Sequence, residues 1–224
     1  MRHSLLPHSD RTPHYGALLA VVLVLIALAP ISTGNESAIV VEIVFNLVLV
    51  TGAYSAAARK GNPWPFTVLT TVTLAWRWVA LLFEADTVDL GALIMTAVWL
   101  IFAVGTIANT LFEQREADTN MIFAAVVVYL LAGVAFGQVF EVLELVQPGS
   151  FSGVPDGGHP RELGNTLIYF SLVCLTTMGY GDIVPVSEIA RPLSVLEGVF
   201  GTLYLAVMIA RLVGLHLQSG SEEQ

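Results

Sequence analysis

From Leu90 to Phe112 the chain carries no charged side chain, and from Pro192 to Leu217 only Glu197 and Arg211 are charged in a mainly apolar run. About 20 such residues cross the hydrocarbon core of a bilayer. Charged residues make up only 12% of the 224 positions and hydrophobic ones 55%, whereas soluble domains carry about 25% charged residues. The chain therefore reads as an integral membrane protein. Its net charge of −9 argues against a nucleic-acid partner. The single cysteine, Cys174, excludes an intrachain disulfide framework.

Taken in order, residues 1–16 form a polar cytosolic tail with His3, His8 and His14. Nothing nearby completes a metal site at fixed spacing. A first span lies within Thr12–Asn35. Ala27-Leu28-Ala29 resembles a signal-peptide cleavage site, but Pro30 directly after it disfavours cleavage, so a retained helix is expected. Further spans follow at Ser37–Ala58, Phe66–Phe83 and Leu90–Phe112, giving a four-helix bundle over 17–113. Short turns make consecutive helices antiparallel neighbours. The domain over 114–217 opens with a span from Asp118 to Val146. Gln147 to Glu162, rich in Gly and Pro, reads as an exposed turret. Pro160 suits a first helical turn, and a short helix then runs to Leu175. The sixth span ends near Leu217, with a polar tail over 218–224 and no cytosolic ligand-binding domain expected.

Between the short helix and the last span stands Leu175-Thr176-Thr177-Met178-Gly179-Tyr180-Gly181-Asp182. It resembles the selectivity-filter signature T-T-x-G-Y-G-D of tetrameric potassium channels. A dehydrated potassium ion needs a cage of oxygens, which four copies of one extended segment can supply from backbone carbonyls. Successive carbonyls face one axis only if the backbone alternates its conformation, and Gly179 and Gly181 accept positive φ at little cost. The resemblance covers roughly Asp118 to His216. It implies potassium sites at Thr177, Met178, Gly179, Tyr180 and Gly181, with Thr176 and Asp182 as filter support and Tyr180 packed around the filter. It makes Tyr169 a candidate hydrogen-bond partner for Asp182 and Gly201 a hinge, a role Gly198 could share. Thr202, Leu205, Ile209 and Val213 follow at helical spacing as candidates for the cavity and gate. Potassium is then the permeant ion, with no cofactor. One pore loop per chain implies a homotetramer in contact with membrane lipid. The expected fold is thus an all-α membrane protein with six transmembrane helices plus a re-entrant pore helix and filter. Three positions depart from the family pattern: Met178 where valine is commonest, Cys174 for a frequent threonine, and Val173 where some members carry glutamate.

Loop charges orient the chain. With both termini cytosolic, Arg2, Arg11, Arg59, Lys60, Arg115 and Arg211 lie inside, against Arg161 and Arg191 outside. The filter mouth then faces outward in the cell membrane. Arg77 and Glu42 are costly at membrane depth, so a buried polar lock with Asn46 is expected. The fourth span carries no arginine, so steep voltage gating through it is not expected. Gly179 to Asp182 also satisfies the G-x-G-D motif of intramembrane aspartyl proteases. Those enzymes need a second intramembrane aspartate, and the sequence has none, so no enzymatic activity is expected. A non-conducting scaffold on a channel fold is the remaining alternative.

Overall fold

The computed structural model describes residues 15–28, 35–57, 64–82, 86–114, 118–154 and 160–222. Residues 1–14, with the three histidines of the N-terminal tail, lie outside the described residues, as do Ala29, Pro30, Arg59, Lys60 and Arg115, whereas Tyr15 and Gly16, read from sequence as the end of that tail, open the first helix. The elements are α1 (Tyr15–Leu28), α2 (Asn35–Ala57), α3 (Trp64–Leu82), α4 (Asp86–Glu113), α5 (Thr119–Val146), β1 (Phe151–Ser152), α6 (Pro160–Leu175), β2 (Val184–Pro185) and α7 (Ala190–Glu222). The architecture is all-α apart from one short strand pair. Among the described residues, three helical stretches are long and apolar enough to cross a membrane: Asp89–Glu113, Thr119–Val146 and Ala190–Leu217. Tyr15–Leu28, Val40–Ser55 and Glu162–Leu175 are shorter apolar helices. The helix of α7 continues through 218–222, the stretch read from sequence as a tail.

Helix α5 is the centre of the fold. It starts where Asp118, in an extended conformation, accepts a hydrogen bond from the Met121 amide at 2.7 Å. This satisfies one of the helix's orphan donors. One face meets Leu18, Val22 and Leu25 of α1 and Leu100, Ala103 and Ile107 of α4 in a continuous core. The other receives α6. Two-thirds of the α5 span (67%) is buried within the chain, against 22% of the α7 span. Most of α7 is therefore uncovered, including Val195, Leu196, Leu203, Ile209 and Val213.

Arg211 joins the far end of α7 to the end of α4. Its Nη2 lies 2.7 Å from the carbonyls of Phe112 and Gln114 and 3.4 Å from that of Leu111, with the guanidinium over the Phe112 ring. The last carbonyls of a helix lack intrahelical partners and carry its negative dipole end, so a cation there is favoured. Hydrogen bonds to a charged group are worth about 1.5–3 kcal/mol. Arg211→Ala should lose about that much, read as a lowered thermal midpoint of the purified protein. An unchanged midpoint would show that the contact carries no load.

Candidate functional site

Helix α6 ends against the start of the signature, and its final carbonyls find partners there. Leu172 O accepts from the Thr176 amide at 3.0 Å and its hydroxyl at 2.7 Å. Val173 O accepts from Met178 N at 2.9 Å and Gly179 N at 3.4 Å, and Cys174 O from Thr177 N at 2.9 Å. Leu175 O accepts from the Tyr129 hydroxyl at 2.9 Å. All four orphan carbonyls of the helix end are satisfied. A trans peptide holds its N–H and C=O on opposite sides. Because the amides of Thr177, Met178 and Gly179 point back at α6, the carbonyls of Thr176, Thr177 and Met178 point away from it, toward one side.

Backbone angles continue the pattern. Thr177, Gly179 and Gly181 have φ of 58°, 56° and 79°, while Met178 and Tyr180 between them do not enter the positive region. The left-handed values at the two glycines match what an aligned carbonyl row demands. At Thr177 the sequence offered no such signal, since β-branched residues rarely adopt positive φ. Residues 176–182 are exposed within the single chain, Met178 at 56% and Tyr180 at 66%. Tyr180, expected to pack around the filter, has that ring uncovered by its own chain.

The outer end of the signature is held by side chains and by the turret. Tyr169 donates its hydroxyl proton to Asp182 Oδ2 at 2.7 Å. β1 pairs antiparallel with β2, Phe151 opposite Pro185 and Ser152 opposite Val184, so the turret is laced to the segment leaving the signature. The Glu144 carboxylate accepts from the amides of Gly149 and Phe151, fixing the turn before β1. The Tyr169 hydrogen bond, chief among several causes, holds the Asp182 carboxyl below its ordinary value of 3.8. A depressed carboxyl adds stability that is complete above its unfolded value and is lost as pH falls through the lower folded one. Thermal midpoints should therefore not respond to this pair above about pH 5 and should fall in stronger acid. Tyr169→Phe should lower the midpoint at neutral pH and remove that acid-dependent part. A variant with the wild-type acid profile would exclude the bond.

Behind the signature, α7 lies close against the end of α6 at Gly201, where an added Cβ would lie 2.3 Å from Leu175 O. The α7 helix runs unbroken through Gly198 and Gly201. Tyr129, Tyr204 and Phe200 stack beside this contact. Ser171 Oγ touches the Gly133 carbonyl of α5 at 2.6 Å and also bonds Glu197 of α7, which is fully buried. Thr202, Leu205, Ile209 and Val213 are all exposed on α7.

A second polar group lies within the first four helices. Arg77 on α3 donates from Nε at 2.9 Å and Nη2 at 2.5 Å to Glu42 Oε1 on α2. Its Nη1 lies 3.2 Å from Thr96 Oγ1 on α4, and its Cζ is 4.6 Å from the centre of the Phe45 ring. Thr96 was not foreseen. Among the described residues Asn46 does not join this group by any hydrogen bond, and its buried Oδ1 has no partner there. No described residue of α4 is an arginine. No cluster of three or more histidine, cysteine or acidic residues suited to a metal occurs among the described residues.

Comparison with known proteins bears on the same region. A protein family described as ion channel matches residues 157–216, from the end of the turret through α6, the signature and most of α7. That stretch is similar to the ion-channel family, and the relatives that match the chain are bacterial potassium channels. It is 30% identical over 132 residues to the voltage-gated potassium channel Kch of Escherichia coli, covering 54% of this chain and 29% of that one. It is also 30% identical over 114 residues to the inward rectifier potassium channel Kirbac3.1 of Paramagnetospirillum magnetotacticum, covering 51% of this chain and 29% of that one. The chain thus spans about a third of the length of the curated relatives it matches. These relatives are channels, not enzymes, and the protease reading of G-x-G-D is set aside.

Proposed function

We propose that the protein conducts potassium passively and selectively across the cell membrane, through a filter built from Thr177, Met178, Gly179, Tyr180 and Gly181 of four identical chains. The observation that carries this reading is the one-sided carbonyl row, set by amides turned toward α6 and positive φ at Thr177, Gly179 and Gly181. A row of dipoles on one strand makes only a quarter of a cage, so each ion site needs the other copies. The uncovered strand and the largely uncovered α7 supply the surface for that assembly.

In this reading six helices cross the membrane, lipid surrounds the tetramer, and both termini are cytosolic. Thr176, Tyr169 and Asp182 support the filter. Gly201, with Gly198, serves as the gating hinge of the helix that runs unbroken through them here, and Thr202, Leu205, Ile209 and Val213 line the cavity and gate below it. The group of Arg77 and Glu42, with Asn46 beside it, fixes the first four helices. Gating does not use arginines on α4, and a gating charge of several units per channel would contradict that part. The test is reconstitution into liposomes loaded with potassium. Potassium efflux with little sodium flux, and block by barium, is the expected result. Absence of flux from protein shown to be tetrameric would leave a non-conducting scaffold.

A further inference from the structure

Ser171, on the face of α6 turned away from the filter strand, has one hydroxyl proton and two oxygen neighbours. Its Oγ is 2.6 Å from Gly133 O on α5 and within hydrogen-bond distance of Glu197 Oε1 on α7. A backbone carbonyl only accepts, as does an ionised carboxylate. With both acceptors in contact, one proton cannot serve the two. The count closes if Ser171 donates to Gly133 and the Glu197 carboxyl, bearing its own proton, donates to Ser171.

The surroundings of Glu197 agree with that count. The residue is 0% exposed, and among the described residues its Oε2 meets no hydrogen-bond donor. Among the described residues the ion pair present is Arg77 with Glu42, and no cation reaches Glu197. A buried ionised carboxylate without a counter-charge is very costly and takes up a proton instead. Among the described residues the titratable groups facing it are Tyr129 on α5 and Cys174 on α6, neither of which supplies positive charge. β2, which also touches α7, contributes Val184 and Pro185 and so no titratable group.

We infer that Glu197 is a neutral carboxylic acid and a positioning residue for the filter, pinning α7 through Ser171 to α6 and α5. Loss of the proton reverses the chain of donors. Ser171 then turns its hydroxyl to the new carboxylate, Gly133 O keeps only its intrahelical amide, and the side-chain tie from α6 to α5 behind the filter is released. The filter-positioning part rests on the conduction proposed above, whereas the protonation state does not.

Both are tested with the full chain in liposomes. Infrared spectra at neutral pH should show the carbonyl stretch of a protonated carboxylic acid that is lost in Glu197→Gln, an isosteric variant able to donate to Ser171 in the same way. Ser171→Ala should shift that band without removing it. Potassium efflux should fall as pH rises in the wild type and stay level in Glu197→Gln. Absence of a Glu197-dependent band, a band unshifted in Ser171→Ala, or an identical alkaline profile in Glu197→Gln would each overturn the inference. If the band is present and shifts while no pH supports flux, the acid assignment stands and the conduction reading fails.

Discussion

Gly179→Ala is expected to abolish selective potassium flux from the reconstituted protein, and Gly181→Ala to do the same. The cause lies in the backbone. Both glycines have positive φ, 56° and 79°, and a Cβ at either would meet no atom of its own chain within 4 Å. Steric crowding inside the chain therefore does not predict the loss. An L-residue held in the left-handed region costs about 1–2 kcal/mol. Four copies around one axis repeat that strain, about 4–8 kcal/mol for each complete ring. A ring under that load relaxes by flipping peptides, and a flipped peptide presents an amide where the ion requires a carbonyl. Efflux of potassium against sodium, measured on folded protein of unchanged oligomeric state, checks this. Unaltered selectivity in either variant would show that the filter has been misassigned.

Glu42→Ala should be the most destabilising change in the first four helices. The Arg77 and Glu42 side chains are 12% and 20% exposed, and Glu42 is the only counter-charge bonded to the guanidinium among the described residues. Removing one partner of a buried pair costs about 3–5 kcal/mol, because the other charge stays desolvated and unpaired. Thr96 and the Phe45 ring remain, but neither carries negative charge. The expected outcome is a loss of that size in denaturant-induced unfolding, with a double variant, Glu42→Gln with Arg77→Gln, recovering much of it. If the single variant lies within about 0.5 kcal/mol of wild type, as surface substitutions usually do, the pair is not a structural lock.

Much of this fold can be read from the sequence because a bilayer leaves few choices. Apolar runs predicted helices, and each expected span overlaps one, from α1 to α7, although among the described residues only Asp89–Glu113, Thr119–Val146 and Ala190–Leu217 are long and apolar enough to cross a membrane. Gly179 and Gly181 marked the positions of positive φ because glycine alone takes them freely, and Tyr169 lies where it was expected, against Asp182. What stayed hidden depends on contacts between distant elements. The left-handed Thr177 follows from its place between α6 and the strand, which no local propensity encodes. Thr96 enters the Arg77 group only because α4 passes α3 at that height. Asn46 lies one helical turn from Glu42, yet bonds to neither Glu42 nor Arg77. Spacing brings residues to one face without aligning donor and acceptor. The β1–β2 pair was missed because two residues per strand give no alternating pattern to detect.

Arg211 has a consequence for how this molecule can be divided. The carbonyls it grips belong to Leu111, Phe112 and Gln114, all upstream of Asp118, where α5 begins. A fragment trimmed to α5–α7 would carry a guanidinium whose three mates had been cut away. Grafting a foreign bundle onto these last helices would succeed only if the donor's fourth helix stopped at the same height. The two halves are therefore not interchangeable parts, and chimeras joined between Gln114 and Asp118 should be judged first on whether this handshake is remade.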